Sequence, residues 1–297
     1  MGEVAFAAKL KADFERLSVR SQAVARWVID HPADVALLTT REQAKRAGVS
    51  PATMTRLAQR FGLKGYDDVR RLYADAMRGR PEGFRGRAQE LVSRRADEGD
   101  AALVQDIFSS LGLHLQALST PAVGKRLTQA ADRIAKAKRV FCLGLRSTFS
   151  VVYIFHYVRS LFGAASVLVD GAGDTGIDVL RNIDRGDVLL AITVRPYTRH
   201  TLKAVRYAKS RGAKVVAITD SELSPLAPFA DEIIIVGTET PSFFHSVAPA
   251  FAAAECLAAL VAARRGKDTL KALARSEEQL SAFGTYILQP RKSRAKL

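Results

Sequence analysis

The stretch QAKRAGVSPATMTRLAQRFGLKGYDDVRRL, residues 43–72, sets the reading of the amino-terminal part of this 297-residue chain. Gly48 ends a short helix, REQAKRA, entered from Thr39 or Thr40. After the turn, the Ser50 hydroxyl is placed to cap the next helix and Pro51 to occupy its first position, where its missing amide costs nothing. Met54, Leu57, Ala58 and Phe61 then recur at helical spacing and form one apolar face. Gly62 closes this helix, and a further one is predicted over 66–77. Two short helices joined by a Gly-containing turn match helix-turn-helix geometry, in which the second helix enters the major groove amino end first. Ser50, Pro51, Ala52, Thr53 and Thr55 are short enough for close approach to base edges. Arg41, Lys45, Arg56, Arg60 and Lys64 supply cations for phosphates or base acceptors.

Upstream, Ser18 is a candidate cap for a helix to Ile29 with Val19, Ala23, Val24, Trp27 and Val28 as its stripe, and His31-Pro32 is expected to end it. The net charge of +15 matters for where it lies: residues 1–40 are neutral, residues 41–80 carry +6, and the tail from Arg291 to Lys296 adds four positive charges. A basic segment coinciding with a helix-turn-helix points to double-stranded DNA; the plainer alternative is a solvated basic surface. Cys142 and Cys256 lie far apart in apolar runs and read as small buried side chains in a reducing compartment. The start of the chain becomes charged before an apolar run develops. The longest apolar stretch, 247–263, is interrupted by Pro249 and Glu255, which favours a buried helix over a membrane span. The expectation is a cytoplasmic chain without membrane contact.

GRPEGFRG, 79–86, reads as a linker, followed by a helical segment over 87–119 anchored by Leu91, Leu103, Ile107, Leu111 and Leu115. From residue 139 unbroken apolar strands alternate with helices: 139–144, 166–169, 187–193, 214–219 and 231–236. That rhythm predicts a doubly wound, mostly parallel sheet covered on both faces. The fold class is therefore an all-α helix-turn-helix domain followed by an α/β domain, divided as 1–80, connecting helices 81–120, the α/β domain 121–285 and a basic, disordered tail 286–297.

Ligands of such sheets bind where strands end. One candidate loop holds Gly144, Arg146, Ser147 and Thr148, with Ser147 either capping the helix or meeting an anion. A second holds Thr193, Arg195, Tyr197 and Thr198; there Arg195 either grips an anionic ligand or pairs with Glu239 or Asp170. The third, TETPSFFHS (238–246), contributes His245 and Ser246. Asp170 and Asp174 read as turn residues, so no metal is called, and no nucleotide or dinucleotide fingerprint calls for a cofactor.

With these strings in view, the chain resembles the RpiR family of bacterial transcription regulators, which join a helix-turn-helix to a SIS (sugar isomerase) domain. The 43–72 stretch carries the resemblance, with FCLGLRS (141–147) and AKSRGAKVVAITDSELSPLAPFAD (208–231). The resemblance implies DNA reading by Ser50, Pro51, Ala52, Thr53 and Arg56, an anionic phosphosugar-like effector at 144–148 and 193–198 with Ser-Phe-Phe-His near the same cleft, and a dimer or larger homo-oligomer. One departure stands out: the family's second phosphate loop has the form Ser-x-Ser-Gly-x-Thr, whereas here the middle Ser is Arg195 and the Gly is Pro196. The rival expectation, a phosphosugar isomerase with an added helical domain, needs a positioned base, for which the sequence offers only His245 and Glu255. No enzyme activity is expected.

Overall fold

A computed structural model of the chain describes residues 3–77, 83–170 and 175–287. Residues 79–82 of the expected linker 79–86, residues 288–297 of the expected tail 286–297, and Asp174 lie outside the described residues. The chain divides into two compact units, one made of Met1–Leu113 with Ser221–Pro225 and Thr238–Ser246, the other of the remainder.

The first unit is helical, with α1 Glu3–Ala12, α2 Val19–Asp30, α3 Pro32–Leu37, α4 Thr40–Ala47, α5 Pro51–Arg60 and α6 Tyr66–Met77, followed by α7, Gly83–Leu118. Its helix starts are written in side-chain oxygens. Ser18 and Ser50 accept amide hydrogen bonds from Ser21 and Thr53, and Thr39 and Glu42 form a reciprocal capping box. The Thr39 hydroxyl and amide hold the Glu42 carboxyl below its ordinary pKa. Gly48 ends α4 at φ 68°, a left-handed conformation that favours glycine.

Phe6, Leu10, Val24, Val28, Met54, Leu57, Tyr66 and Val69 bury against one another, and Leu223 joins them from its separate segment of the same unit. Burying each such side chain stabilises the unit by about 1.5–3 kcal/mol. At the centre lies Gln43, wholly buried. Its Oε1 accepts from the Trp27 indole at 3.3 Å and the Tyr66 hydroxyl at 2.7 Å, while its amide donates to the carbonyls of Val35 at 3.0 Å and Leu38 at 2.8 Å. Burial also pushes the Tyr66 phenol well above its ordinary pKa.

Two details go beyond the expected helices. His31-Pro32 does end α2, but Pro32 at once opens α3, because a proline that cannot continue one helix is well placed at the start of the next. The helical segment expected over 87–119 is broken at Gly99, with φ 82° and ψ 169°, and it starts already at Gly83, so residues 83–86 of the expected linker are helical.

The second unit comprises α8 Pro121–Lys136, β1 Val140–Gly144, α9 Phe149–Leu161, β2 Ser166–Val169, β3 Val188–Ile192, α10 Arg199–Ser210, β4 Lys214–Thr219, β5 Glu232–Ile235, α11 Ala248–Arg265 and α12 Lys267–Ala282. Every strand pairing is parallel, in the order β2-β1-β3-β4-β5. The apolar strands are buried on both sides with a period of two. Val140, Cys142, Leu190, Ile192, Val216 and Ile218 face α8, α9 and α11, whereas Phe141, Leu143, Leu189, Ala191, Val215 and Ala217 face α10 and the 3-10 segment Gly176–Asn182.

Helices α8 and α12 were not anticipated, although Thr120 caps α8 and Leu127, Ala130, Ala131 and Ile134 follow at helical spacing. The helix expected from Ser147 begins instead at Phe149, after a 3-10 turn over Arg146–Thr148. Of the two cysteines read as buried, only Cys142 is; Cys256 is exposed on α11.

Candidate functional site

In the first unit the structure sorts the cations of the basic segment. Arg46 pairs with Asp34, Arg70 with Asp67 and Arg71 with Asp68. Arg41, Lys45, Arg56, Arg60 and Lys64 are exposed and form no ion pair among the described residues. They lie on α4, on α5 and just beyond α5. Pro51 and Ala52 are exposed at the start of α5, and Thr55 is half-buried.

Thr53 is placed otherwise: it is buried, with its hydroxyl 3.0 Å from Ser50 and 3.4 Å from Arg56 Nη2. Its role is to hold the cap and to steady Arg56. A recess of about 330 Å³ lies between the start of α2 and this helix, lined by Ser18, Arg20, Ser21, Thr53, Arg56, Leu57 and Arg60. Arg20 is the residue that sequence reasoning missed. Only the packing of α2 on α5 brings it to the same recess as Arg56 and Arg60.

In the second unit the chain leaves β1 toward β2 on one side and returns to β3 on the other. The carboxyl ends of β1 and β3 therefore flank the switch point of the sheet, where ligands of such folds bind. Both predicted loops start there, since Gly144 stands opposite Ile192 across the parallel pair. A Cβ on Gly144 would lie 2.5 Å from the Thr148 carbonyl oxygen, so the tight return of the first loop requires glycine.

Thr148 is buried, its hydroxyl 2.9 Å from the Ile192 carbonyl and 3.0 Å from that of Leu145. With one proton to share between two carbonyls, it fastens the loops together. Arg146 is exposed in a left-handed conformation, φ 59°. Ser147 is half-buried and caps no helix. In the second loop Thr193 is buried at the strand end, and Thr198 caps α10 by accepting from the Thr201 amide.

Asp220, at the end of β4, is a partner of Arg195. Arg195 Nε lies 3.3 Å from Asp220 Oδ2, and its backbone amide donates to the same oxygen at 3.3 Å. The Tyr197 hydroxyl donates to Asp220 Oδ1 at 2.8 Å. Asp220 escaped sequence reasoning, which weighed Glu239 and Asp170 for this role. The strand-end rule that selected the other loops selects Asp220 as well, directly after KVVAIT.

His245 and Ser246 belong to the Thr238–Ser246 segment of the first unit. There His245 stacks on Phe244 with ring centres 4.1 Å apart, and the Ser246 amide donates to the Thr238 carbonyl at 3.0 Å. Among the described residues no group of three or more metal-ligating side chains is gathered, and no helix is long and apolar enough to cross a membrane.

Comparison with known proteins agrees with both halves. Residues 4–77 match the helix-turn-helix domain of the rpiR family, and residues 133–263 match the SIS domain. An HTH-type transcriptional regulator of Caldanaerobacter subterraneus subsp. tengcongensis is 26% identical over 268 residues, covering 87% of this chain and 90% of its own length. The HTH-type transcriptional regulator HexR of Pseudomonas aeruginosa is 22% identical over 74% of each chain. Among solved structures, the NanR protein of Vibrio vulnificus, complexed with ManNAc-6P, superposes with a TM-score of 0.52 at 20% identity, covering 93% of this chain and 98% of that one. The two matched regions, which together span more than two thirds of the sequence, place the chain in the RpiR family of helix-turn-helix transcriptional regulators with a SIS domain.

Proposed function

We propose that this regulator reads operator DNA through α5 and that a small anionic metabolite, held at the switch point of its SIS domain, modulates that binding. The observation that carries the DNA half is the sorting of charges. Of the basic residues described in the +6 segment, those left without ion pairs are Arg41, Lys45, Arg56, Arg60 and Lys64, on or beside the helix-turn-helix. Ser50, Pro51, Ala52 and Thr55 bring the start of α5 close to base edges, with Thr53 as support and Arg20 as an added phosphate contact. Residues 1–80 serve DNA, 121–285 serve the effector, and the chain acts in the cytoplasm.

The effector half rests on Arg146, Ser147, Arg195, Tyr197 and Thr198 around the crevice, with Gly144, Thr148 and Thr193 shaping it and His245 and Ser246 as further candidates. The relative NanR was solved with a sugar phosphate, and this class of ligand, or a related acid, suits a loop bearing Arg195. A planar guanidinium grips carboxylate or phosphate through paired hydrogen bonds. In calorimetric titrations with a panel of sugar phosphates and sugar acids, the ligand that binds wild type should bind Arg195→Ala about ten- to a hundredfold more weakly. Affinities within about twofold would make Arg195 a purely structural residue.

Catalysis is not part of this reading. Residues 144–148 and 193–198 contain no carboxylate or imidazole to act as a base, and Asp220 beside them is held by Arg195 and Tyr197. One helix-turn-helix covers few base pairs, so specific recognition calls for a two-fold pair of chains on an inverted repeat. Helix α7 offers the pairing surface: Val92, Val104, Phe108 and Leu113 stand exposed on it, with Val104 and Phe108 one turn apart. Sedimentation at micromolar concentration should show a dimer or larger assembly; a stable monomer with undiminished specific binding would exclude this arrangement.

A further inference from the structure

Asp220 takes from the second loop the donors that an anionic ligand would use. Its carboxylate accepts from the backbone amide of Arg195, lies beside Nε of the same residue, and accepts from the Tyr197 hydroxyl, with its side chain only 7% exposed. Directly after it the chain folds into a tight turn. Ser221 Oγ accepts from the Leu223 amide at 3.1 Å, and the Ser221 carbonyl accepts from the Ser224 amide at 3.1 Å. Ser221, Leu223 and Ser224 are buried. Leu223 packs into the core of the helical unit, in the same cluster as Trp27, Met54 and Leu57. Asp220, paired with the effector loop, and Leu223, packed in the core of the helical unit, are thus three residues apart on one hydrogen-bonded turn.

We propose that Asp220 is the built-in competitor of the effector's anionic group, and that the turn after it relays its displacement to the helical unit through Leu223. This rests on the reading of residues 193–198 as the effector loop. Two desolvated anions at one guanidinium repel each other, so a phosphate or carboxylate that takes Arg195 drives Asp220 away. Because Asp220 and Leu223 are joined by so short a turn, that movement reaches the Leu223 anchor. The binding-competent loop is then the minor form of the free protein, and effector affinity is reduced by its population.

The test uses the full chain and inorganic phosphate, measured by calorimetry, with Trp27, the single tryptophan, reporting on the helical unit by its emission. Arg195→Ala serves as the reference for phosphate bound elsewhere. Asp220→Asn keeps an acceptor for Tyr197 and removes the charge; it should bind phosphate at least about fivefold more tightly than wild type. Its emission without phosphate should already resemble that of phosphate-saturated wild type. Leu223→Ala should bind phosphate like wild type while leaving the Trp27 emission unmoved by it. If neither wild type nor Asp220→Asn binds phosphate beyond the Arg195→Ala reference, the loop is not an effector site and the proposal falls with that reading. Equal affinities in those two proteins overturn Asp220 as competitor while the loop reading stands. Tighter binding with a silent Trp27 in both overturns the relay.

Discussion

Raising salt from about 50 to 200 mM should weaken binding of the full chain to its operator by on the order of a thousandfold. Each chain presents Arg41, Lys45, Arg56, Arg60 and Lys64 without ion-pair partners among the described residues, and Arg20 stands beside Arg56 and Arg60 in one recess. Two chains on an inverted repeat bring roughly six to ten of these cations to phosphates, and each contact releases condensed counterions, which is the origin of so steep a loss. Anisotropy titrations at several salt concentrations measure the slope directly. A slope near zero would mean that these side chains do not meet the DNA backbone, whatever their exposure.

Gln43→Ala should cost the helical unit about 3–5 kcal/mol, a large share of the ordinary stability of such a domain. The substitution strands three buried polar groups at once, the Trp27 indole, the Tyr66 hydroxyl and the Val35 carbonyl, and with them the half-buried carbonyl of Leu38. Each group left without a partner costs about 1–3 kcal/mol, with partial relief where water enters. Trp27 lies in this core and is the only tryptophan, so urea unfolding of the full chain followed by its emission reports on this unit. A midpoint unmoved by the change would show that Gln43 does not hold the helices together as described.

Much of this architecture is legible locally. Ser18, Thr39 and Ser50 announce their helices because a cap is a contact over three residues, and Pro51 and Gly48 mark their ends for equally local reasons. The strand runs are legible because a sheet covered on both faces demands continuous apolar sequence. What escaped reading depends on distant partners. Gln43 sits in the polar string REQAKRA, and nothing nearby tells that α2, α3 and α6 close over it. Asp220 is an ordinary strand-end acid until β3 and β4 pair and place it against Arg195. Thr53 looks like a base reader by position, but the cap and Arg56 occupy its hydroxyl. The starts of α3 and α8 were legible after all, in His31-Pro32 and in Thr120-Pro121, where proline opens a helix as readily as it closes one.

The central claim, that this chain regulates through DNA contacts made by α5, is tested most directly by anisotropy titration of the duplex upstream of its own gene with wild type, Arg56→Ala and Arg206→Ala. Arg206 is an exposed cation on α10 of the second unit, set over the Phe229 ring at 5.4 Å, and controls for loss of positive charge alone. Arg56→Ala should weaken binding by about five- to a hundredfold, the range of a lost base or phosphate contact, while Arg206→Ala stays within about twofold of wild type. Equal losses in the two variants, or none in either, would contradict the account.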